Sequence, residues 1–354
     1  MAGKLYTIRQ AASSLRNGGN KAIRDLNIVL EQRGYHAILS LPKKYNKCIR
    51  VLDYPLLLFY CLFVFSKRDT ILWIFHENIL KVRMIHFFKC LKKYRIICFI
   101  NDLNSIRFEG DHRKELERDL SAIETADTIL APNKQSCEML EKMGIASAKI
   151  IPVGVWDYLH DGLLPEEQSK DDNPRVKVVF AGNLGKSPFI YDLGKCLLGN
   201  NLEFHLYGDG YTARSENCRI IYHGSAEPDE LPELICRYDW GLVWDGDSIN
   251  ECHGSIGRYL MFNNPHKAGL YLASGLPIIT WRKSGCYCFT KEHGCGIGVD
   301  SLLDIGSSFY SDDSYQKYKE NVLKESNRIR RGYYINTALA RAEMNENESW
   351  LTSR

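Results

Sequence analysis

The residues best suited to chemistry sit late in the chain. Asn264-Pro265-His266-Lys267 leads into Ala268-Gly269-Leu270-Tyr271-Leu272-Ala273-Ser274-Gly275, and Pro265 suits the first position of a helix. A helix start presents unpaired N–H groups and the positive end of a dipole, so it attracts phosphate, and Lys267 would add a full charge. By spacing alone a solvated lysine near a helix start is the plainer reading. Ala181-Gly182-Asn183-Leu184-Gly185-Lys186 follows an apolar run; its glycines would let backbone amides approach a phosphate that Lys186 neutralises. The run lacks the spacing of a dinucleotide fingerprint or a P-loop, and an ordinary turn reads the same way. Asn17-Gly18-Gly19-Asn20 repeats the pattern near the N-terminus, so Gly18, Gly19 and Asn20 are candidates for an acceptor or phosphate loop, with a plain flexible turn an alternative at least as good.

Three further groups bear on catalysis. Asp102, in Ile100-Asn101-Asp102-Leu103-Asn104, follows an apolar strand and could take a proton from an acceptor hydroxyl; a helix cap is the plainer alternative. Asp245 and Asp247 form an Asp-x-Asp after another strand, a pattern able to hold a divalent cation on a diphosphate. The polar, glycine-containing loop that follows favours substrate contact over metal. Cys286, Cys288, His293 and Cys295 are zinc-type ligands at a spacing that no standard structural site uses, and read better as reduced, partly buried thiols. No Ser-His-Asp, Cys-His or G-x-S-x-G arrangement is present, which argues against peptide and ester hydrolysis.

The elements that must position these groups alternate strand and helix twice over. Leu5–Ile8, His36–Leu39, Ile71–Phe75, Arg95–Ile100, Thr128–Leu130 and Lys149–Pro152 read as one set of strands. A helix from Lys21 to Arg33 follows the first glycine loop. Residues 157–175 carry Asp-Gly, two prolines and a polar run, the signature of a linker. The pattern then restarts at Lys177–Phe180 and continues through Glu203–Tyr207, Ile220–Tyr222, Trp240–Trp244, Pro277–Thr280 and Gly296–Val299. Repeated βα units imply parallel sheets covered on both faces. The expectation is an α/β chain of two doubly wound, Rossmann-like domains, 1–156 and 176–313, with helices at 314–354 and ligands held in the cleft that the domains face.

Composition agrees. A chain of 354 residues, 45% hydrophobic and 25% charged, is long enough for two cores. Met1–Gln10 lacks the apolar stretch of a signal peptide, Leu56–Phe65 is too short to span a bilayer, and the twelve cysteines have no framework spacing. A cytoplasmic protein is expected. The net charge of +3 is unevenly spread: residues 1–100 hold 18 Lys and Arg against 5 Asp and Glu. Between Lys67 and Arg95 eight basic residues interleave with Leu72, Trp73, Ile74, Phe75, Phe87 and Phe88. That fits peripheral contact with the anionic inner face of a membrane, or merely the solvated face of a helix. No nucleic-acid recognition signature accompanies it.

Gly241-Leu242-Val243-Trp244-Asp245-Gly246-Asp247-Ser248, Tyr259-Leu260-Met261-Phe262-Asn263-Asn264-Pro265-His266-Lys267, Tyr271-Leu272 and Leu276-Pro277-Ile278-Ile279 resemble bacterial β-1,6-galactofuranosyltransferases of surface-polysaccharide synthesis (capsule and lipopolysaccharide). Val179–Leu184, Ile100–Leu103 and Ile329–Tyr334 fit the same group. More distantly the chain is similar to the streptococcal adhesin glucosyltransferase. The resemblance implies a GT-B fold and a UDP-sugar donor, with no metal and no other cofactor. It implies that Gly182, Asn183, Lys186, Asn264, His266 and Lys267 hold the donor, Lys267 and the loop at Asn183–Lys186 taking the diphosphate. Asp245 and Asp247 would line the donor pocket. It further implies that the first domain takes the glycan acceptor, lipid-linked acceptors included, and that the C-terminal helices return to that domain. Relatives often carry His-Asp where this chain has Asn101-Asp102, so any help from that histidine is missing. A glucosyltransferase acting on a glycoprotein, or a non-catalytic sugar-nucleotide-binding subunit, remains compatible with these residues.

Overall fold

The computed structural model describes residues 3–8, 18–38, 52–75, 79–107, 112–164, 175–213, 217–308 and 312–351. Two compact units emerge, one of residues 1–15, 23–153 and 335–354, the other of 16–22 and 154–334.

The first unit holds β1 (Leu5–Ile8), α1 (Gly18–Gln32, whose first turn falls in the second unit), β2 (His36–Ile38), α2 (Asp53–Phe59), β3 (Thr70–Ile74) and α3 (Ile79–Lys92). It continues with β4 (Arg95–Phe99), α4 (Asn104–Arg107), α5 (Arg113–Glu124), β5 (Thr128–Ala131), α6 (Lys134–Lys142) and β6 (Ile150–Pro152). Its six strands are parallel, in the order β2-β1-β3-β4-β5-β6. β3 and β5 are buried throughout, as strands covered on both faces must be.

The second unit runs β7 (Val176–Ala181), α7 (Leu193–Cys196), β8 (Leu202–Tyr207), β9 (Ile220–Tyr222), α8 (Leu231–Ile235), β10 (Trp240–Val243) and α9 (Gly254–Tyr259). Then come α10 (His266–Ala273), β11 (Ile278–Trp281), α11 (Gly285–His293), β12 (Gly296–Val299), α12 (Ile305–Ser308), α13 (Asp312–Arg330) and the start of α14 (Tyr333–Leu351). Its sheet is parallel, in the order β12-β11-β10-β7-β8-β9. The strand order reverses between β7 and β10, and that switch point is where ligands bind in open α/β sheets. The expected α/β class with two doubly wound sheets is what folds.

Three boundaries differ from the sequence reading. The helix expected from Lys21 begins at Gly18, so Gly18, Gly19 and Asn20 form a first turn rather than a loop; Asn17 and Leu39 lie outside the described residues. The stretch 157–175 begins inside the second unit's core: Asp157 and Tyr158 are buried, and Asp157 accepts from the Tyr334 amide at 3.3 Å. Polar composition hid two aromatic anchors, Trp156 and Tyr158; residues 165–174 are not described. Finally α13 belongs to the second unit, because Val322 and Ile329 pack in its core and Ser326 donates to the Ala273 carbonyl at 2.8 Å. Only from Ile335 is the chain counted with the first unit.

What sets α10 against the sheet is the absence of a side chain. A Cβ on Gly241 would stand 2.2 Å from the Tyr271 ring, and one on Gly269 would stand 2.2 Å from the Trp156 carbonyl oxygen. Tyr271 then reaches across β10 to β7, where its hydroxyl accepts from the Ala181 amide at 2.8 Å. β8 buries two polar residues that need partners. Glu203 meets His205 at 2.8 Å, His205 meets His223 at 2.9 Å, and Tyr207 and Tyr238 share a hydrogen bond of 2.8 Å beside them. Burial pushes the His205 imidazole down to about 4, and Glu203 opposes the shift.

Two outcomes follow. Gly241→Ala should cost about 1–3 kcal/mol by overpacking, read as a lower urea midpoint at unchanged slope; an unaltered midpoint would remove the steric argument. Stability should also fall with acid. The native state resists protonating His205, so the unfolded chain binds more protons below its pKa of about 6.5. The share of His205 should therefore begin near pH 6.5 and grow until about pH 4, at up to about 1.4 kcal/mol per pH unit, and His266, pushed down to about 3, should add to it. Urea midpoints that hold level from pH 7 to 5, where most carboxylates are still charged, would contradict it.

Candidate functional site

The switch point of the second sheet places two strand ends side by side. β7 ends at Ala181 and is followed by Gly182 and Asn183; β10 ends at Val243 and is followed by Trp244 and Asp245. α10 aims its start at this pair. Lys267 Nζ donates to the Trp244 carbonyl at 2.9 Å and to Asp245 Oδ1 at 2.6 Å, and stands 4.6 Å from the centre of the Phe180 ring. The Lys267 side chain is 13% exposed and that of Asp245 18%, so the pair is shielded yet still reachable. An ammonium has three donors, and two are engaged. The third is what a phosphate would meet at the start of α10, where the Ala268 amide is already bonded to the Pro265 carbonyl. Pro265 is the N-cap rather than the first helical residue, and no side chain caps the helix.

Gly182 adjoins Lys267: a Cβ there would lie 3.9 Å from Lys267 Cε, a tolerable contact. The severe constraints lie one strand over. A Cβ on Gly208 would meet the Gly182 carbonyl oxygen at 1.8 Å, and one on Gly210 the Gly185 amide at 2.7 Å. Both have positive φ, +135° and +88°. Gly208-Asp209-Gly210, just past the end of β8, is thus what brings the two βα turns together.

The turn at Asn183–Lys186 uses its own amides. Gly182 N–H donates to the Tyr207 carbonyl, Leu184 and Gly185 donate to that of Asp209, and Lys186 N–H donates to Asn183 Oδ1 at 3.1 Å. A ligand there would meet the exposed Asn183 and Lys186 side chains instead of a nest of amides. The cause is the short 3-10 turn over Leu184–Lys186, capped by Asn183. Asp247 stands beyond Gly246, more than half exposed, with His253 Nδ1 at 3.0 Å. Each carboxylate of the Asp-x-Asp pair therefore has a cationic or imidazole partner, and among the described residues no group of three His, Cys, Asp or Glu is placed to hold a metal. Cys286 and Cys288 lie on α11 two residues apart, pointing to different sides of the helix; Cys286 is buried against Thr280 and Ser284. Burial pushes its thiol up, which makes it a poor nucleophile.

Asn264 is buried and donates to the Gly154 carbonyl at 3.2 Å, fixing the chain just before α10. His266 stacks on Tyr158 with ring centres 4.7 Å apart. Burial, aided by the Lys21 charge, pushes its imidazole down to about 3, against a hydrogen bond with the Asp157 backbone. Its Nε2 is shut off from solvent with no hydrogen-bond partner. Lys21, just after Gly18, Gly19 and Asn20, belongs to the same cluster. Its Nζ donates to the Leu159 carbonyl at 2.8 Å, pairs with Asp229 at 3.1 Å and lies 4.5 Å from the centre of the Tyr158 ring. Sequence reading missed Lys21, Tyr158 and Phe180, because each looks like core or helix surface until the segments meet.

Asp102 belongs to the first unit, beyond the carboxyl end of β4. It is partly exposed, and Arg107 Nη1 of the short α4 reaches its Oδ2 at 3.3 Å.

Comparison with known proteins gives this geometry a family. Residues 72–155 match the model of the glucosyltransferase 3-like N-terminal domain, and residues 178–342 that of the C-terminal domain. The chain is similar to the β-1,6-galactofuranosyltransferase WbbI of Escherichia coli (strain K12), at 28% identity over 95% of this chain and 97% of the relative. It is similar to glucosyltransferase 3 of Streptococcus gordonii at 24% identity over 71% of each. Among solved structures, the lipopolysaccharide outer core galactosyltransferase WaaB aligns with a TM-score of 0.62 at 14% identity, covering 97% of this chain and 99% of that one. Anabaena Alr3699/HepE, solved with UDP and glucose, aligns at 0.55 with the same identity and coverage. Those two likenesses show the fold, GT-B. Carrying both domains in order, the chain belongs to the glucosyltransferase 3-like family of glycosyltransferases.

Proposed function

We propose that the protein transfers a hexose, galactofuranose in the first instance, from a UDP-sugar to a sugar hydroxyl of a polysaccharide or lipid-linked oligosaccharide precursor. The observation that carries this is the Lys267 ammonium, held at the switch point of the second sheet with one donor to spare. Loss of UDP puts negative charge on the leaving diphosphate. Lys267, the start of α10 and the exposed Lys186 are placed to stabilise that charge as it grows. On this reading no metal is required, because lysines and helix amides supply the positive charge. Stacked on Tyr158, His266 positions the start of α10 for the donor together with Asn264, and Asp245 and Asp247 would line the donor side.

Asp102 is the proposed base that takes the proton from the acceptor hydroxyl. Arg107 restrains its rotamer. Attack on a UDP-α-sugar from the opposite face would give a β-linked product. Galactofuranose is preferred because the likeness to WbbI spans nearly the whole chain. The family description and the streptococcal relative keep glucose transfer, to a glycoprotein acceptor, as the second reading.

Release of UDP from a panel of UDP-sugars, with synthetic glycan acceptors and products identified by mass, tests the proposal; UDP binding without release from any donor would instead mark a binding subunit. Lys267→Ala should weaken UDP binding by roughly 10–100-fold, the worth of a hydrogen bond to a charged group, with circular dichroism unchanged. Unchanged affinity by calorimetry would remove Lys267 from the diphosphate site. Asp102→Asn should leave UDP affinity intact and slow turnover by about 10²–10⁴-fold; normal turnover would dismiss it as the base.

A further inference from the structure

The first unit exposes apolar side chains in one place. Among the described residues, nine of the seventeen strongly exposed large apolar side chains fall between Leu52 and Leu91. On α2 and the π-turn that continues it (Tyr60–Val64), the exposed large apolar side chains are Leu56, Leu58, Phe59, Leu62 and Phe63, with Phe63 74% exposed. On α3, Leu80, Phe87 (61%) and Leu91 (65%) form a stripe with Arg83 at helical spacing, while Val82 and Ile85 face the core.

These two helices form one platform. Lys81 of α3 makes a buried 2.8 Å ion pair with Asp53 at the start of α2. At the other end Lys92 donates to the Leu62 and Phe65 carbonyls at 2.6 and 3.0 Å. Start meets start and end meets end, so the helices run side by side in the same direction and their exposed stripes adjoin. An apolar face of this extent on a water-soluble surface is costly unless something covers it.

Charge decides what covers it. Lys67, Arg68, Arg83 and Lys93 are exposed around the platform, whereas the acidic residues described between 52 and 95, Asp53 and Asp69, are both buried. A second copy docking by two-fold symmetry would set this basic rim against itself. We propose that the platform docks on an anionic bilayer, with Phe59, Phe63, Phe87 and Leu91 inserted below the headgroups and the basic rim among the phosphates. The helices lie in the interface rather than across it; among the described residues no helix is long and apolar enough to span a membrane. The inference deepens the proposed use of lipid-linked acceptors, yet it stands on unit-one residues that take no part in donor binding.

The test uses the full chain without donor or acceptor, so its failure would leave UDP release untouched. Vesicles of phosphatidylcholine with phosphatidylserine should sediment the protein at low salt, and pure phosphatidylcholine should do so weakly. Phe63→Ser and Leu91→Ser should each lower the partition coefficient roughly tenfold or more, the worth of a buried large apolar side chain. Arg83→Gln should lower it about fivefold, on anionic vesicles only. Native binding by all three variants, equal binding to neutral vesicles, or no binding joined to a concentration-dependent dimer that Phe63→Ser abolishes would each overturn the proposal. UDP release to a soluble acceptor should be the same in all three.

Discussion

The second unit is organised around one ammonium group that has been taken largely out of water. A shielded cation needs oxygen partners at short range, and Lys267 has the Trp244 carbonyl and Asp245, with the Phe180 ring beneath. Those partners come from β10 and β7, the strands that flank the reversal of the sheet order. Lys267 can reach them only if α10 lies close to the sheet. That closeness rests on Gly241 and Gly269, where a methyl group would collide with Tyr271 and with the Trp156 backbone. Asp245 thus serves Lys267 before it serves any ligand, and an arriving diphosphate joins an existing cation–carboxylate pair.

Around this centre the polar groups divide by how fully they are satisfied. The Asn183–Lys186 turn closes its amides on Asp209 and Asn183, so it is a rigid shelf carrying side chains. His266 is the opposite case: neutral by burial, braced by Tyr158, and left with one imidazole nitrogen unpartnered. Rigid structure bordering the spare donor of Lys267 is how a site meets a polar ligand without rearranging. The Glu203–His205–His223 chain, running from β8 to the residue after β9, is closed by its own hydrogen bonds.

The first unit shows a different economy of burial. Its sheet is as dry as that of the second, yet α2 and α3 turn leucines and phenylalanines outward while burying the Lys81–Asp53 pair between them. A buried ion pair is a weak source of stability and a strong source of register. Here it aligns two helices whose outer faces do not serve the core.

The twofold alternation of strand and helix was legible in the residues, because parallel strands covered on both faces need unbroken apolar runs, as at Ile71–Phe75 and Val178–Ala181. So was Lys267 as a cation at a helix start, since Asn264-Pro265 marks the boundary by local rules. Legible too was the charge contrast along the chain. Tertiary structure alone decided the rest. Asp245 as the partner of Lys267, the demand for no side chain at Gly208, and the stacking of His266 on Tyr158 all join segments distant in sequence. The linker reading began too early because local polarity outweighed Trp156 and Tyr158, whose burial depends on α10 and on the carbonyl of Pro228. The apolar run Leu56–Phe65 was legible as too short to span a bilayer, and only the packing of α2 against α3 shows which of its side chains the core leaves outside. Periodicity is a one-dimensional signal and fixes what a segment becomes; which surfaces it meets is set by contacts that no local window contains.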